Sequence, residues 1–220
     1  MVLAGLVDLE TPRPDLQKLV DYIVIRISSP TKSRLASARR VASNLVWGVW
    51  STKLSNKSSS VVKQQGGDFY VIPDIDLPAS LLNNEEIGKI AVVSTDLPDE
   101  LCQSIGDLPI EAVLVSGLET KVELTLRDLM TIKMLGDSIS KPMMVIRSGS
   151  LTEADLVMLQ DAGVNGIILD LDEASLKDVE EVRDLLETIP QRKARKDIQT
   201  SAVGKPAVVA DNVDYEDYDE

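Results

Sequence analysis

The 220-residue chain has no histidine, one cysteine and one phenylalanine, and only 3% of its residues are aromatic. The lack of histidine excludes a Ser-His-Asp triad, a Cys-His dyad and any histidine-ligated metal site. Because Cys102 is the only cysteine, an intramolecular disulfide and a CxxC metal site are also excluded. These absences are typical of a protein from a reducing, cytoplasmic compartment.

Long hydrophobic runs and an excess of positive charge are missing as well. No stretch approaches the roughly 18 apolar residues of a membrane span, and the N-terminus lacks the pattern of a signal peptide. The 36 Asp and Glu residues outnumber the 23 Lys and Arg residues, which gives a formal net charge of −13. Nucleic-acid binding needs a basic surface, so we expect neither a nucleic acid nor a membrane as a partner.

The C-terminal end differs in composition from the rest of the chain. Periodic apolar segments stop at Pro190, and residues 191–210 form a basic linker that begins QRKARK. Residues 211–220, DNVDYEDYDE, contain six carboxylates and no basic residue. Like charges at this density repel one another, which predicts a disordered acidic tail. The tail either keeps the chain soluble or binds a basic protein partner through Tyr215 and Tyr218.

Residues 1–190 alternate between short apolar segments rich in Val and Ile and segments with helical spacing. Eight of the apolar segments are predicted strands, over residues 3–9, 21–28, 44–50, 68–74, 89–95, 111–117, 141–148 and 164–171. Helical spacing is clearest over 125–140, 151–163 and 173–190. In the second of these segments, Thr152 is the predicted N-cap and Gly163 the predicted stop.

Strands that alternate with helices predict parallel βα units, and eight units are the number that closes a (β/α)8 TIM-type barrel. We therefore predict that residues 1–190 form one compact α/β barrel. Its first four helices must be short, and residues 51–67 have the weakest helical signal. The alternative is an open doubly wound parallel sheet built from residues 89–190, with the first half as a smaller layer.

Polar residues near the C-terminal ends of the predicted strands form the candidate site, because active sites of TIM barrels lie at this end. Strand side chains alternate between the helix layer and the barrel interior. If the more apolar set of each strand faces the helices, the other set faces inward. The charged residues that this rule places inward are Asp8, Glu10, Arg26, Asp74, Asp96, Arg147, Asp170 and Asp172.

Two chemical interpretations fit these residues. An arginine fork suits a carboxylate or phosphate, so Arg26 and Arg147 are candidate anion-binding residues. Clustered carboxylates suit a hard cation such as Mg²⁺ or acid–base work. The candidate catalytic residues are Asp8, Asp74, Asp96 and Asp170. In the other interpretation these charges are ion pairs that satisfy one another and have no catalytic role.

Residues 147–171, RSGSLTEADLVMLQDAGVNGIILDL, place small residues after a strand, then a helix, then an Ala-Gly turn into the next strand. This segment resembles the corresponding unit of the ribulose-phosphate-binding barrels, such as indole-glycerol-phosphate synthase. The resemblance implies that the loops after the seventh and eighth strands hold a phosphate, with Ser148, Gly149 and Ser150 as the first phosphate-binding turn. The turn after the eighth strand departs from that family's uncharged glycine-rich loop, because it contains Asp170 and Asp172.

Two functions therefore remain open. The first is an enzyme, a lyase or isomerase that binds a small anionic metabolite and uses aspartate acid–base chemistry with or without Mg²⁺. The second is a degenerate, non-catalytic barrel that acts as an interaction or scaffold module, with the acidic tail contacting a partner. The missing histidine favours the second function. A homo-oligomer is compatible with both.

Other residues are given structural interpretations. Lys89 and Lys141 lie at the N-terminal ends of predicted strands, away from the expected site, so a strand-borne Schiff-base lysine is not expected. Cys102 is predicted to be a small buried apolar residue. Trp47 and Trp50 are three residues apart in one strand and are predicted to point to opposite faces.

Overall fold

The computed structural model describes residues 1–11, 16, 18–118, 123–148 and 150–190. Eight parallel strands form a closed barrel in chain order, with the last strand paired to the first. The strands are β1 (Val2–Asp8), β2 (Tyr22–Arg26), β3 (Val46–Trp50), β4 (Phe69–Ile72), β5 (Gly88–Ser94), β6 (Ala112–Ser116), β7 (Met143–Arg147) and β8 (Val164–Asp170). The predicted TIM-type barrel is confirmed, and its closure excludes the open doubly wound sheet.

Six α-helices lie within the described part of the chain: α1 (Lys32–Ala42), α2 (Asn56–Gln64), α3 (Asp99–Gly106), α4 (Leu126–Ser138), α5 (Glu153–Ala162) and α6 (Leu176–Thr188). After β4 a 3-10 helix, Ala79–Asn83, takes the place of an α-helix. The helix α2 forms in the segment with the weakest helical signal, because Ser55 and Ser58 make a capping box at its N-terminus. No helix among the described residues is long and apolar enough to cross a membrane.

The sheet separates two apolar layers. The inner cluster fills the barrel and consists of Ala4, Leu6, Val24, Phe69, Val71, Ile90, Val92, Leu114, Met144, Ile146 and Ile168. The outer cluster lies between the strands and the helices and includes Leu3, Ile25, Val49, Tyr70, Val145 and Leu169. Gly48 makes room for the largest inner side chain, since a Cβ at this position would lie 2.2 Å from the Phe69 ring.

The helix α5 begins and ends where the sequence predicts. Thr152 is the N-cap of α5, and Gly163 ends that helix with a positive φ of 106°, a conformation that glycine adopts without strain. The N-termini of α4, α5 and α6 share one device. In each, a Thr or Ser N-cap exchanges hydrogen bonds with an aspartate three residues later, namely Asp128, Asp155 and Asp178.

The structural interpretations of the single cysteine and the two tryptophans are confirmed. Cys102 is fully buried in the outer cluster on α3. Trp47 also belongs to the outer cluster, whereas Trp50 packs against the inner cluster and is partly exposed at the end of β3. The proposed basic linker (191–210) and acidic tail (211–220) lie outside the described residues.

Candidate functional site at the barrel mouth

Three charged residues end three neighbouring strands on one side of the barrel. Asp8 ends β1, Arg26 ends β2 and Asp170 ends β8. Within each strand the residue two positions earlier (Leu6, Val24 or Ile168) belongs to the inner cluster. Because side chains alternate along a strand, the charged residues continue the inward set. The parity predicted for these three strands is therefore confirmed, and it places the charges at the C-terminal mouth of the barrel.

The Arg26 guanidinium lies at the centre of this group. Its Nη2 is 2.7 Å from Asp170 Oδ2, and its Nη1 is 2.8 Å from Asp172 Oδ2. Nη1 is also 4.0 Å from Asp8 Oδ2, which is an ion-pair distance but too long for a hydrogen bond. We call these four residues, Asp8, Arg26, Asp170 and Asp172, the mouth cluster.

Solvent exposure differs among the mouth carboxylates. The side chain of Asp170 is 13% exposed, that of Asp172 is 30% exposed and that of Asp8 is 48% exposed. Arg26 is 35% exposed, so its guanidinium remains accessible from the mouth. Asp170 is thus the most shielded partner of the arginine, and Asp8 is the most open to solvent.

Hydrogen bonds connect the loops around the cluster. Thr11 Oγ1, in the loop after β1, donates to Asp172 Oδ1 over 3.2 Å. The backbone N–H of Asp172 donates to Asp170 Oδ1 over 3.2 Å. The carboxylates of Asp170 and Asp172 therefore each accept one hydrogen bond from Arg26 and one from a loop residue.

Charge in the mouth cluster is unbalanced, with one guanidinium facing three carboxylates. Partial burial lowers the pKa of Arg26, but the hydrogen bond from Arg26 to Asp170 and the negative charges of all three aspartates outweigh it. The pKa of Arg26 is consequently raised above its ordinary value. The arginine stays protonated at any physiological pH, and the cluster carries a net negative charge when the carboxylates are ionised.

A second arginine lies at the rim, beside the cluster. Arg34, in the first turn of α1, donates from Nη1 to Ser28 Oγ, and its Nη2 is 3.6 Å from Glu10 Oε1. Thr31 caps this helix, whose first turn contains no acidic residue. Trp50 completes this side of the mouth, since it is the direct cross-strand neighbour of Arg26.

The structure does not bring Arg147 into the mouth. On β7 the inward residues are Met144 and Ile146, whereas Val145 belongs to the outer cluster. The predicted parity of β7 is therefore wrong. Both faces of this strand are buried and apolar up to Ile146, so its residues do not alternate between polar and apolar. The sequence therefore does not indicate which residues face the barrel interior. A register shift at Met143 and Met144 adds to the irregularity.

Arg147 instead lies beneath the helix layer, where it is only 1% exposed. Its Nη1 donates to the Leu118 carbonyl over 3.0 Å, and its Nε has no hydrogen-bond partner among the described residues. Burial lowers the pKa of Arg147, although the charges of Asp155 and Asp128 act in the opposite direction. Its guanidinium therefore lies against the segment that follows β6, within the electrostatic influence of carboxylates at the N-terminal ends of α4 and α5.

Asp74 and Asp96 lie in turns beyond their strands. On β4 the inward residues are Phe69 and Val71, so the predicted inward parity of Asp74 is wrong; this strand is also apolar on both faces. Asp74 is exposed and accepts the N–H of Asp76. Asp96 is exposed, and its N–H donates to Ser94 Oγ. Within the described ranges, the mouth cluster forms its ion pairs without either residue.

The segment after β7 is only partly described. Ser148 is half-buried and Ser150 is exposed, whereas Gly149 lies outside the described residues. The N-terminus of α5 already has the Asp155 carboxylate on its N-cap, Thr152. A phosphate at this turn would lie close to that carboxylate.

The carboxylates of the mouth cluster are of the ligand type that hard cations such as Mg²⁺ prefer. No group of three or more acidic or cysteine side chains among the described residues is arranged to hold a metal ion. Two of the three mouth aspartates each direct an oxygen to Arg26. Mg²⁺ binding at the mouth stays a prediction of the sequence.

Several residues of the site were missed by sequence reasoning. Thr11 and Arg34 lie in loops or in the first helical turn after a strand, where parity no longer applies. Asp172 was predicted to face inward but not to serve in the site. A search for polar residues within three positions of each strand end would find Thr11 and Asp172, and the capping pattern at Thr31 points to Arg34.

No model of a known protein family and no curated protein matches the chain. Solved structures do match. A mutant tryptophan synthase alpha-subunit from Pyrococcus furiosus has 13% sequence identity, a TM-score of 0.64 and coverage of 84% of this chain and 96% of its own. Thiamine phosphate pyrophosphorylase from Pyrococcus furiosus has 14% identity, a TM-score of 0.59 and coverage of 84% and 95%. The predicted resemblance to (β/α)8 barrels is confirmed, as one of fold.

Proposed function

We propose that the chain binds a small anionic metabolite at the mouth of the barrel and acts on it as a lyase or isomerase. The observation that carries this proposal is the position of Arg26, which lies partly exposed at the end of β2 among carboxylates from β1 and β8. In TIM-barrel enzymes, catalytic residues come from the ends of several strands at this face. The two structural neighbours named above are enzymes by their titles, so the fold of this chain is compatible with the proposal.

Arg26 would bind the anionic group of the ligand. A guanidinium has five N–H donors, and the hydrogen bonds to Asp170 and Asp172 use one each. The fixed carboxylates orient the plane of the guanidinium, so its remaining edge can donate to a carboxylate or phosphate. Arg34 at the rim is a second cation beside the mouth, where it also pairs with Glu10 over 3.6 Å.

Asp8 would transfer the proton. It is the most exposed carboxylate of the mouth cluster, and it lies 4.0 Å from Arg26 rather than within hydrogen-bond distance. Asp170 and Asp172 would act as positioning residues, because their oxygens are directed to Arg26. In this arrangement Arg26 holds the charged end of the substrate while Asp8 removes or returns a proton on the neighbouring carbon.

The non-catalytic alternative has one observation in its favour. The mouth cluster pairs its single arginine with three carboxylates, and such groups satisfy one another in purely structural ion-pair networks. Under this alternative the mouth binds no metabolite, and the chain acts as an interaction or scaffold module whose acidic tail contacts a partner.

Ligand-dependent thermal unfolding separates the two functions. We would screen short keto acids, phosphorylated sugars and inorganic phosphate against the wild type, Arg26→Lys and Arg183→Lys. Arg183 is a matched control, because its Nη2 is 2.9 Å from Asp21 Oδ1 at the opposite end of the barrel. A bound ligand raises the melting temperature by mass action.

The proposal predicts a ligand-dependent rise in melting temperature for the wild type and for Arg183→Lys. It predicts that this rise is lost in Arg26→Lys, because lysine keeps the positive charge but lacks the paired N–H donors of a guanidinium. No shift with any ligand would favour the non-catalytic alternative. For a ligand that binds, exchange of its carbon-bound proton in deuterated water would be followed by NMR. We expect Asp8→Asn to retain the thermal shift and lose the exchange.

A further inference from the structure

The helix α4 is apolar on its outer side as well as on its inner side. Its inner side buries Ile132 and Leu135. Three of its outward residues are also large and apolar: Leu126 is 74% exposed, Met130 65% and Met134 41%. Surface helices of globular proteins ordinarily have one apolar stripe and one polar face, and a helix that is apolar all round is normally buried.

A comparison within the same barrel shows how unusual this is. The helix α6 has the same length as α4, 13 residues. Its exposed residues are Lys177, Glu180, Glu181, Asp184, Glu187 and Thr188, so its outward face is almost entirely charged. The two helices occupy equivalent layers of one fold, and of the two only α4 presents methionine and leucine to the outside.

The apolar surface continues onto the neighbouring helix. Val157 and Met158 of α5 are 36% and 39% exposed, and Met158 lines a shallow groove together with Met130 and Met134. We call Leu126, Met130, Met134 and Met158 the Met face. Contiguous exposed apolar patches of this kind mark interaction sites, and methionine side chains adapt readily to an opposing surface.

Charges around the Met face indicate what covers it. The charged residues that line the grooves on this face are Arg127, Lys133, Asp137 and Asp161, two of each sign. The whole chain, by contrast, has a net charge of −13. A partner selected by charge would be basic and would favour an acidic rim, whereas a locally neutral rim suits a self-complementary contact.

The order of the charges along α4 indicates how two copies of this helix would be oriented. Arg127 lies in the first turn of the helix, and Asp137 lies in the last turn. Asp137 forms an ion pair with Lys133, four residues earlier in its own helix. In an antiparallel pair of α4 helices related by a twofold axis, Arg127 of one copy lies opposite this carboxylate of the other and joins its ion pair. The same axis places Met130 opposite Met134, so apolar contacts lie in the centre and opposite charges at the ends. Twofold dimers of this isologous kind are the commonest soluble oligomers.

We propose that the Met face is the interface of a homodimer in which two α4 helices pack antiparallel about a twofold axis. The proposal is independent of the chemistry at the barrel mouth. An alternative occupant of the Met face, such as another protein, would leave the isolated chain monomeric.

Sedimentation velocity on the full chain tests the proposal, over about 1 to 100 µM, the range in which modest interfaces dissociate. We expect a concentration-dependent dimer for the wild type. Met130→Lys should raise the dimer dissociation constant by about tenfold or more. Val46→Lys is the matched control, because Val46 is another exposed apolar residue, 51% exposed, and lies at the start of β3. We expect this variant to have the dimer dissociation constant of the wild type.

Charge reversal tests the antiparallel arrangement. Arg127→Asp and Asp137→Arg should each weaken the dimer, and the double variant should restore it. A wild type that stays monomeric over the whole range, or a Met130→Lys variant that dimerises as the wild type does, would overturn the proposal. So would a double variant no stronger than the single ones. Far-UV circular dichroism verifies folding, and Leu126→Lys replaces Met130→Lys if the latter is unfolded.

Discussion

Arg26 on β2 and Asp170 on β8 form a hydrogen bond across β1, with 2.7 Å between Nη2 and Oδ2. Neither strand pairs with the other, since both pair with β1. The contact therefore spans the point where the barrel closes, between its first and last strands. It brings together residues that are 144 positions apart in the chain. The mouth cluster therefore forms only when β1 pairs with both β2 and β8 and the barrel is closed.

This contact leads to a stability prediction. Asp170→Asn should lower the free energy of unfolding by about 1–2 kcal/mol, because it weakens a charged hydrogen bond of a largely shielded carboxylate. Asp172→Asn should cost less than about 1 kcal/mol, because Asp172 lies in a loop and is more exposed. Urea unfolding monitored by circular dichroism measures both. An equal or larger loss in Asp172→Asn would contradict the importance given to the contact across β1.

The position of Arg147 under the helices leads to a second prediction. Arg147→Met should destabilise the fold by about 1–3 kcal/mol, because the Leu118 carbonyl loses its buried donor. The same change should leave any ligand-dependent thermal shift intact, since this side chain does not reach the mouth. Urea unfolding and the ligand screen provide the two measurements. A folded variant that no longer responds to a ligand would show that Arg147 takes part in binding.

Cys102 provides a probe of α3. Burial, and after it the charge of Asp99, raises the pKa of the Cys102 thiol. At pH 8 the reactive thiolate is therefore scarcer than for a free cysteine, and reagents cannot reach the buried sulfur. We expect a thiol reagent to label the native protein hardly at all and to label one site per chain in guanidinium chloride. Rapid labelling of native protein at pH 8 would be inconsistent with this burial.

The N-terminus of α6 leads to a prediction about pH. Hydrogen bonds from Ser175 lower the pKa of Asp178. A lowered folded-state pKa contributes stability above the unfolded value of about 3.9, and this contribution is lost as the pH falls through the folded value. Ser175→Ala should therefore cost about 1 kcal/mol at pH 7 and less at pH 3.

Urea unfolding at both pH values measures this difference. Ser60→Ala is the control, because Ser60 lies on an exposed face of α2 and is not a cap. We expect its small effect to be the same at pH 7 and pH 3. If Ser175→Ala costs as much at pH 3 as at pH 7, the contribution of Asp178 is not electrostatic.

Parity along the strands predicted the mouth only in part. On β1, β2 and β8, charged residues alternate with aliphatic ones at the strand end, so the inward set was recognisable and Asp8, Arg26 and Asp170 were placed correctly. On β4 and β7 the strand residues are apolar on both faces, because the inner cluster and the outer cluster both bury them. The alternation of side chains along such strands does not show which set faces inward. The inward positions predicted for Asp74 and Arg147 are therefore wrong.

The amino-acid sequence by itself determined the number of strands, the order of the clearest helices, the caps of α5 and the TIM-type barrel. These features follow from local periodicity and local hydrogen bonding, which each segment carries in its own residues. Only the tertiary structure decided which charges meet. Closing the barrel brings β8 and β2 to either side of β1 and so joins Asp170 to Arg26, whereas the helix layer buries Arg147. The outward direction of Met130 is likewise decided by how α4 packs, since an apolar stripe on each side of a helix does not indicate which one faces the sheet.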